Sequence, residues 1–310
     1  MNTQSNAARE SLIADQAAPA VMSPTRPLYW SVRRELWESR SIYIAPLTVA
    51  ALVVLGFVVR SIRLPQNMRL ILDLTPAEQQ IRIQQPYTFA GLLLMGVTFI
   101  VAIIYCLDAL YGERRDRSIL FWKSMPVSDT TTVLSKAAIP VVVIPLLTFA
   151  ITVVTQVIMV VIESVALSAG GLSVATFWAR LSLFDMWVVL LNHLVTGHGL
   201  WYAPLFGYLL LASAWARRAP FLWAGLPLLV FSLVEKITFN TWRFAHMLSY
   251  RLVGGPDDDA FGAPGRVGIH SMAHIHLGRF FASPGLWIGL AVTAVFLALA
   301  IRLRRYRGPI

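Results

Sequence analysis

At 310 residues with a formal net charge of +10, the chain is 57% hydrophobic and only 14% charged, against roughly 25% charged in a soluble domain. This overrules the two soluble domains that length alone suggests and marks an integral membrane protein. The positive charge falls in short clusters beside apolar runs, as the positive-inside rule expects, and not in a solvated face or arm suited to nucleic acid.

The one cysteine, Cys106, lies inside an apolar run, so the chain offers neither a disulfide framework nor a thiolate metal cluster. Residues 1–27, rich in Ala, Ser and Gln, lack the basic start and apolar core of a cleavable signal and read as a disordered cytoplasmic tail. They precede a single transmembrane domain, residues 28–310. Leu28 to Arg40 predicts a short amphipathic helix in the headgroup region. Tyr29, Val32 and Leu36 share one face with Trp37 beside it, while Arg33, Arg34 and Glu38 point elsewhere.

Six spans follow: Tyr43 to Val59, Phe89 to Leu110, Ala137 to Ile162, His198 to Ala216, Phe221 to Val234 and Pro284 to Ile301. Trp178 to Leu194 is also apolar but carries Arg180, Asp185, Asn192 and His193, and is read as an outer-surface or half-inserted helix. Residues 60–88 form a polar outer segment. Residues 235–283 hold two apolar pieces around a Gly/Pro/Asp-rich turn and predict short re-entrant or interfacial helices before the last span. With both termini inside, 16 of the 26 Lys and Arg lie in inner segments, so an even span count and a basic inside agree. The expected fold is an all-α membrane bundle with both ends cytoplasmic.

The chain has no GxxxxGK[ST] loop and no GxGxxG after a strand, so any ATP would be bound by another polypeptide. His270, His274 and His276 raise a metal site, with the first two one helical turn apart. No acid or cysteine lies close by in sequence to complete it, and interfacial histidines are the preferred reading. Neither a catalytic triad nor a bound cofactor can be singled out.

Thr148, Thr152, Thr155 and Gln156 share one face of the third span. They either line a translocation route or hydrogen-bond to neighbouring helices. Pro140 and Pro145 loosen the backbone ladder of the same span. Asp108, at the inner end of the second span, is expected to pair with Arg115 or another inner arginine.

The densest signal is the stretch from Asp108 to Lys136. It holds Glu113, Arg114, Arg115, Asp116 and Arg117, then Ile119, Leu120, Phe121 and Trp122, then a break at Pro126 and a cap from Ser128 or Asp129 before the next helix. The aromatics beside arginines suit either a docking surface for another protein or a loop seated in the headgroups.

This stretch resembles the cytoplasmic loop of permease subunits of bacterial ABC-2-type ATP-binding-cassette exporters. The matching positions are Glu113, Arg114, Leu120, Pro126, Ser128 and Lys136. The departure is Arg117-Ser118, where the family often has Gly-Thr. The layout matches as well: an amphipathic helix, six spans, and short outer helices before the last. The resemblance implies a coupling helix within residues 112–129 that docks a separate ATPase subunit. ATP and Mg would sit on that partner, with no cofactor and no catalysis in this chain. It also implies a second permease chain in a dimer and the bacterial inner membrane as location. The apolar lining suits an amphiphilic substrate such as a peptide antibiotic, drug or lipid. Two other classes stay open. One is an intramembrane enzyme using the histidines and Asp108; the other is a non-transporting scaffold or sensor.

Overall fold

The computed structural model describes residues 25–124, 127–253 and 277–308, and all regular structure in them is helical. In chain order, α1 (Thr25–Glu38) leads into α2 (Ser41–Ser61) and the short α3 (Leu64–Leu72). Then come α4 (Pro76–Ala109), α5 (Tyr111–Arg115), α6 (Ser118–Ser124) and α7 (Asp129–Ala138). A π-helical turn, Ile139–Val143, carries α7 into α8 (Ile144–Ala169). Next are α9 (Val174–Arg180) and α10 (Leu183–His193), a second π-helical stretch, Leu194–Trp201, and α11 (Ala203–Trp215). The chain ends with α12 (Pro220–Phe239), α13 (Arg243–Val253), α14 (Leu277–Ala282) and α15 (Pro284–Tyr306).

Six helical runs are long and apolar enough to cross a bilayer. Several begin earlier than the apolar runs alone suggest, for local reasons. α4 starts at Pro76 instead of Phe89 because Thr75 and Glu78 form a reciprocal capping box, with the Thr75 amide donating to Glu78 Oε2 at 3.1 Å. Its 34 residues reach about 50 Å, well beyond an apolar core of roughly 30 Å.

Pro140 has no amide to donate, and the ladder slips to the π register, with the Ile144 amide reaching Ile139 O. The second π stretch packs on the first. Gly199 permits this: a Cβ there would stand 3.0 Å from Val141 O.

Two contacts fix how the rods run. Gln84 Nε2 donates to Ser182 Oγ at 2.7 Å near the start of α4, and the Leu110 and Tyr111 amides donate to Ser213 Oγ at 3.0 and 2.8 Å at its end. The run from Leu183 to Trp215 therefore travels alongside α4 in the same direction and crosses once. The fourth run long and apolar enough to cross is Val174–Trp201, which takes in Trp178 to Leu194, and not the expected His198 to Ala216; Ala203–Trp215 is a shorter apolar helix that continues it. The six long apolar runs are compatible with a multi-spanning bundle, and α1 and Gly308 lie at the same end of it. We call this end the basic pole.

α2, α4 and α8 pack together, and α11 lies between α4 and α15. α12 is peripheral, with Ala224 its one buried residue. Near the opposite pole, Glu235 caps α13, accepting the Arg243 and Phe244 amides at 2.7 and 2.8 Å.

α1 differs from its expected face. Val32 and Leu36 pack on the core, but Tyr29 and Trp37 are 60% and 70% exposed, and the buried stripe is completed by Ser31 and Glu35. A buried glutamate on the inward face requires a partner, and the partner organises the basic pole.

Candidate functional site

Glu35 meets Lys136, one helix turn before the π segment. The Lys136 ammonium donates to Glu35 Oε1 and Oε2 at 2.9 and 3.0 Å and pairs with Glu113 Oε1 at 3.1 Å; all three side chains are buried. The Tyr105 hydroxyl donates to Glu35 Oε2 at 2.8 Å. Arg304, near the end of α15, donates from Nη1 to Glu113 Oε2, and its Nε lies 3.1 Å from Asp129 Oδ1 without the alignment of a hydrogen bond. Arg34 joins from α1, 2.6 Å from Glu35 and 3.4 Å from Glu113.

Three cations and three carboxylates from four parts of the chain thus close a cluster, with a fourth carboxylate, Glu38, at its exposed edge 3.6 Å from Arg34. Burial alone would push the Glu35 carboxyl up, but Lys136 and Arg34 outweigh it and hold the group below the ordinary carboxylate range.

This geometry divides the charged stretch in two. Glu113 and Arg114 turn inward. Arg114 Nη1 donates to Ala214 O and Ala216 O at 2.7 and 3.0 Å, satisfying carbonyls at the end of α11. Arg115, Asp116 and Arg117 remain on the surface, with Arg115 Nε donating to Asp116 Oδ1 at 2.9 Å. Arg115 also pairs with Asp108 at 3.7 Å, the partnership expected for that acid. The Arg115 guanidinium keeps the Asp116 carboxyl below its usual range.

Arg117 adopts φ 59°, a left-handed conformation that favours glycine. It turns the chain into α6, where Ile119 is buried while Leu120 and Phe121 are 57% and 58% exposed. Trp122 is half-buried, with the Arg34 guanidinium 3.8 Å over its ring and the Phe121 ring edge-on at 4.9 Å. Lys123 Nζ donates to Arg305 O and Arg307 O at 3.3 and 3.2 Å. α6 is thereby tied both to α1 and to the end of α15. Pro126 lies outside the described residues. Ser128 is the cap of α7, accepting the Thr131 amide at 3.0 Å.

Thr148, Thr152, Thr155 and Gln156 are all buried. Thr148 and Thr155 donate to carbonyls of their own helix, and the Thr152 methyl faces Gly91 of α4. Gln156 spans three helices: its amide donates to Tyr87 O at 3.0 Å, and its oxygen accepts from Trp187 Nε1 at 2.7 Å. Beside this seam an open apolar groove of about 620 Å³ runs between α2 and α8, past Leu47, Ala50, Val54, Ile151 and Thr155.

His270, His274 and His276 lie outside the described residues. Among the described residues, no group of three His, Cys, Asp or Glu side chains gathers as a metal ion would require.

Sequence reasoning missed Glu35, Arg34 and Arg304 as partners of Glu113 and Lys136. The available signal was an acid at the i+3 position from Val32, flanked by Leu36 on the inward stripe. It also missed Glu163, whose Oε2 accepts the Tyr87 hydroxyl at 2.5 Å in the opposite half of α8. Compared with protein-family models, curated proteins and solved structures, the chain matches none of them.

Proposed function

We propose that the chain is the membrane-spanning subunit of an ATP-driven exporter of the ABC-2 type. On this reading, two permease chains pair in the bacterial inner membrane with the basic pole cytoplasmic. A separate ATPase subunit, carrying ATP and Mg, docks on residues 112–129 as the coupling element. This chain performs no catalysis.

The observation that carries the reading is the division of that element. Its first part is locked into the bundle by Glu113 and Arg114, while Leu120 and Phe121 stand exposed on a helix anchored at both sides. A short helix presenting an apolar tip from a fixed base suits the transfer of a push from a docked protein into α1, α7 and α15. Arg117 adds support: where the resembled family often has glycine, this backbone takes the conformation glycine favours. The apolar groove beside α2 and α8 suits an amphiphilic substrate or the chain packing of a second subunit, and the Thr148–Gln156 seam would have to part for a route to open there.

The test is recovery of the tagged chain in mild detergent with its bound proteins. A stoichiometric ATPase that falls at least tenfold in Leu120→Ala/Phe121→Ala, with unfolding unchanged, supports the assignment. A clean, folded chain with no ATPase sinks it. A scaffold or sensor would retain the ATPase, but its hydrolysis would not respond to any transported compound. An intramembrane enzyme would act on lipid or peptide without ATP.

A further inference from the structure

α11 ends at Trp215, and the carbonyls of Ala214, Trp215 and Ala216 have no continuing helix to receive them. Two guanidiniums reach them. Arg114 takes Ala214 O and Ala216 O, and Arg307 Nη1 donates to Trp215 O at 2.6 Å. Arg114 also reaches Gly308 O at 3.4 Å, and Arg217 follows directly in the chain on the Ala216 carbonyl that Arg114 bonds.

A helix C-terminus supplies roughly half a negative charge, which among the described residues leaves Arg114 and Arg307, with Arg217 beside Ala216 in the chain, largely uncompensated. Glu113, beside Arg114 in the chain, is committed to Lys136, Arg304 and Arg34. Among the described residues, no carboxylate pairs with Arg114, Arg217 or Arg307 within 4.0 Å. Like charges held together in this way call for an anion.

The surroundings define its chemistry. The chain turns at Ala219, φ 45°, into α12, the least buried crossing. At that turn the Trp215 and Trp223 rings lie 4.9 Å apart, both partly exposed, beside Phe221 and Leu222 at 63% and 55% exposure. Tryptophans of this kind sit at headgroup level, and the bare flank of α12 offers an acyl chain an apolar track running away from the charges.

We propose that Arg114, Arg217 and Arg307 form a binding site for the phosphate of an anionic phospholipid whose chains lie along α12. The site is independent of the exporter reading. Arg114 and Arg307 hold the base of the site against the end of α11, and Arg217, exposed and free of any hydrogen bond among the described residues, closes on the headgroup. A free phosphate would use the same guanidiniums but gain nothing from the aromatic and apolar flank.

The test uses the full chain in detergent, with phosphatidylglycerol or phosphatidylcholine added and bound lipid counted by native mass spectrometry. Each arginine near a headgroup contributes about fivefold, so Arg217→Gln/Arg307→Gln should bind phosphatidylglycerol about 30-fold more weakly. Arg217→Gln alone removes no bond within the fold and should lose about fivefold, which keeps the test valid if the double variant unfolds. Arg63→Gln/Arg69→Gln, at the opposite pole, should change nothing.

Equal retention in wild type and variants, or equal retention of the two lipids, overturns the site. Inorganic phosphate displacing the lipid at comparable concentration would show a free-anion site and overturn the lipid assignment. Loss of a co-purifying protein with lipid binding intact would assign the patch to that protein and overturn it as well.

Discussion

Replacing Lys136 by methionine tests the buried cluster most directly. The stem keeps its length and packing, and only the ammonium is lost. That ammonium makes three contacts of 2.9, 3.0 and 3.1 Å with two buried carboxylates. Without it, Glu35 retains Arg34 and the Tyr105 hydroxyl, and Glu113 retains Arg304 and a longer contact to Arg34. Three carboxylates then face two cations. Removing one partner of a buried pair costs about 3–5 kcal/mol, and the surviving arginines place this case near 3 kcal/mol. Glu35→Gln on top of Lys136→Met restores the balance, so the double variant should be less destabilised than the sum of the singles by at least 1 kcal/mol. The chain carries its own reporter. Cys106 is the only cysteine and is fully buried, so its reaction with a fluorogenic maleimide follows unfolding in a sodium dodecyl sulfate titration. A Lys136→Met midpoint within about 1 kcal/mol of wild type, or strict additivity with Glu35→Gln, would refute the cluster as a stability element.

Three further outcomes follow from the geometry. The Glu35 carboxyl is held below its unfolded value, so its stabilisation is full above about pH 4.5 and is lost as pH falls through the folded value. Acid titration followed by far-ultraviolet circular dichroism should show this loss, and Glu35→Gln should flatten it. Arg117→Gly should stabilise by about 1 kcal/mol through relief of the left-handed backbone, and Arg117→Val should do the opposite; the same unfolding titration reads both. Gln156→Leu strands the Trp187 indole N–H in the bundle and should cost about 1–3 kcal/mol in the same unfolding titration.

The bundle was legible because apolar runs and basic clusters are local properties of a sequence. The number of long apolar runs, a helix after residue 27, the Ser128 cap and the Asp108–Arg115 pair could each be read within a few turns of chain. Boundaries were less legible where polar residues extend a helix past the membrane. Gln79, Gln84 and Tyr87 read as loop by hydropathy, yet they form the first turns of α4 behind the Thr75–Glu78 box. The cluster was not legible for a different reason. Glu35, Glu113, Lys136 and Arg304 lie 78, 23 and 168 residues apart in turn, and each has a plausible local role: a headgroup contact, a docking charge, a helix-start cation, a positive-inside arginine. Only the packing of α1 on α7 and of α15 beside it shows that they share one site.

That site changes what the charged stretch can be. A loop that docked a partner through all its charges would present Glu113 and Arg114 to solvent, where opposite charges contribute little to affinity and are screened by salt. Here the two are withdrawn to fix the base of α6, so on the proposed docking reading recognition would fall to the apolar tip with Arg115 and Arg117 at its rim. Binding energy at protein interfaces concentrates in such central apolar side chains. Docking on this surface should therefore depend on Phe121 far more than on Arg115, and should weaken little between low and physiological salt. Displacement of α6 would reach α1 through Arg34 and Trp122, α15 through Lys123, and α4 directly through α5. The same ties that stabilise the resting bundle are the ones through which a push on α6 would have to travel.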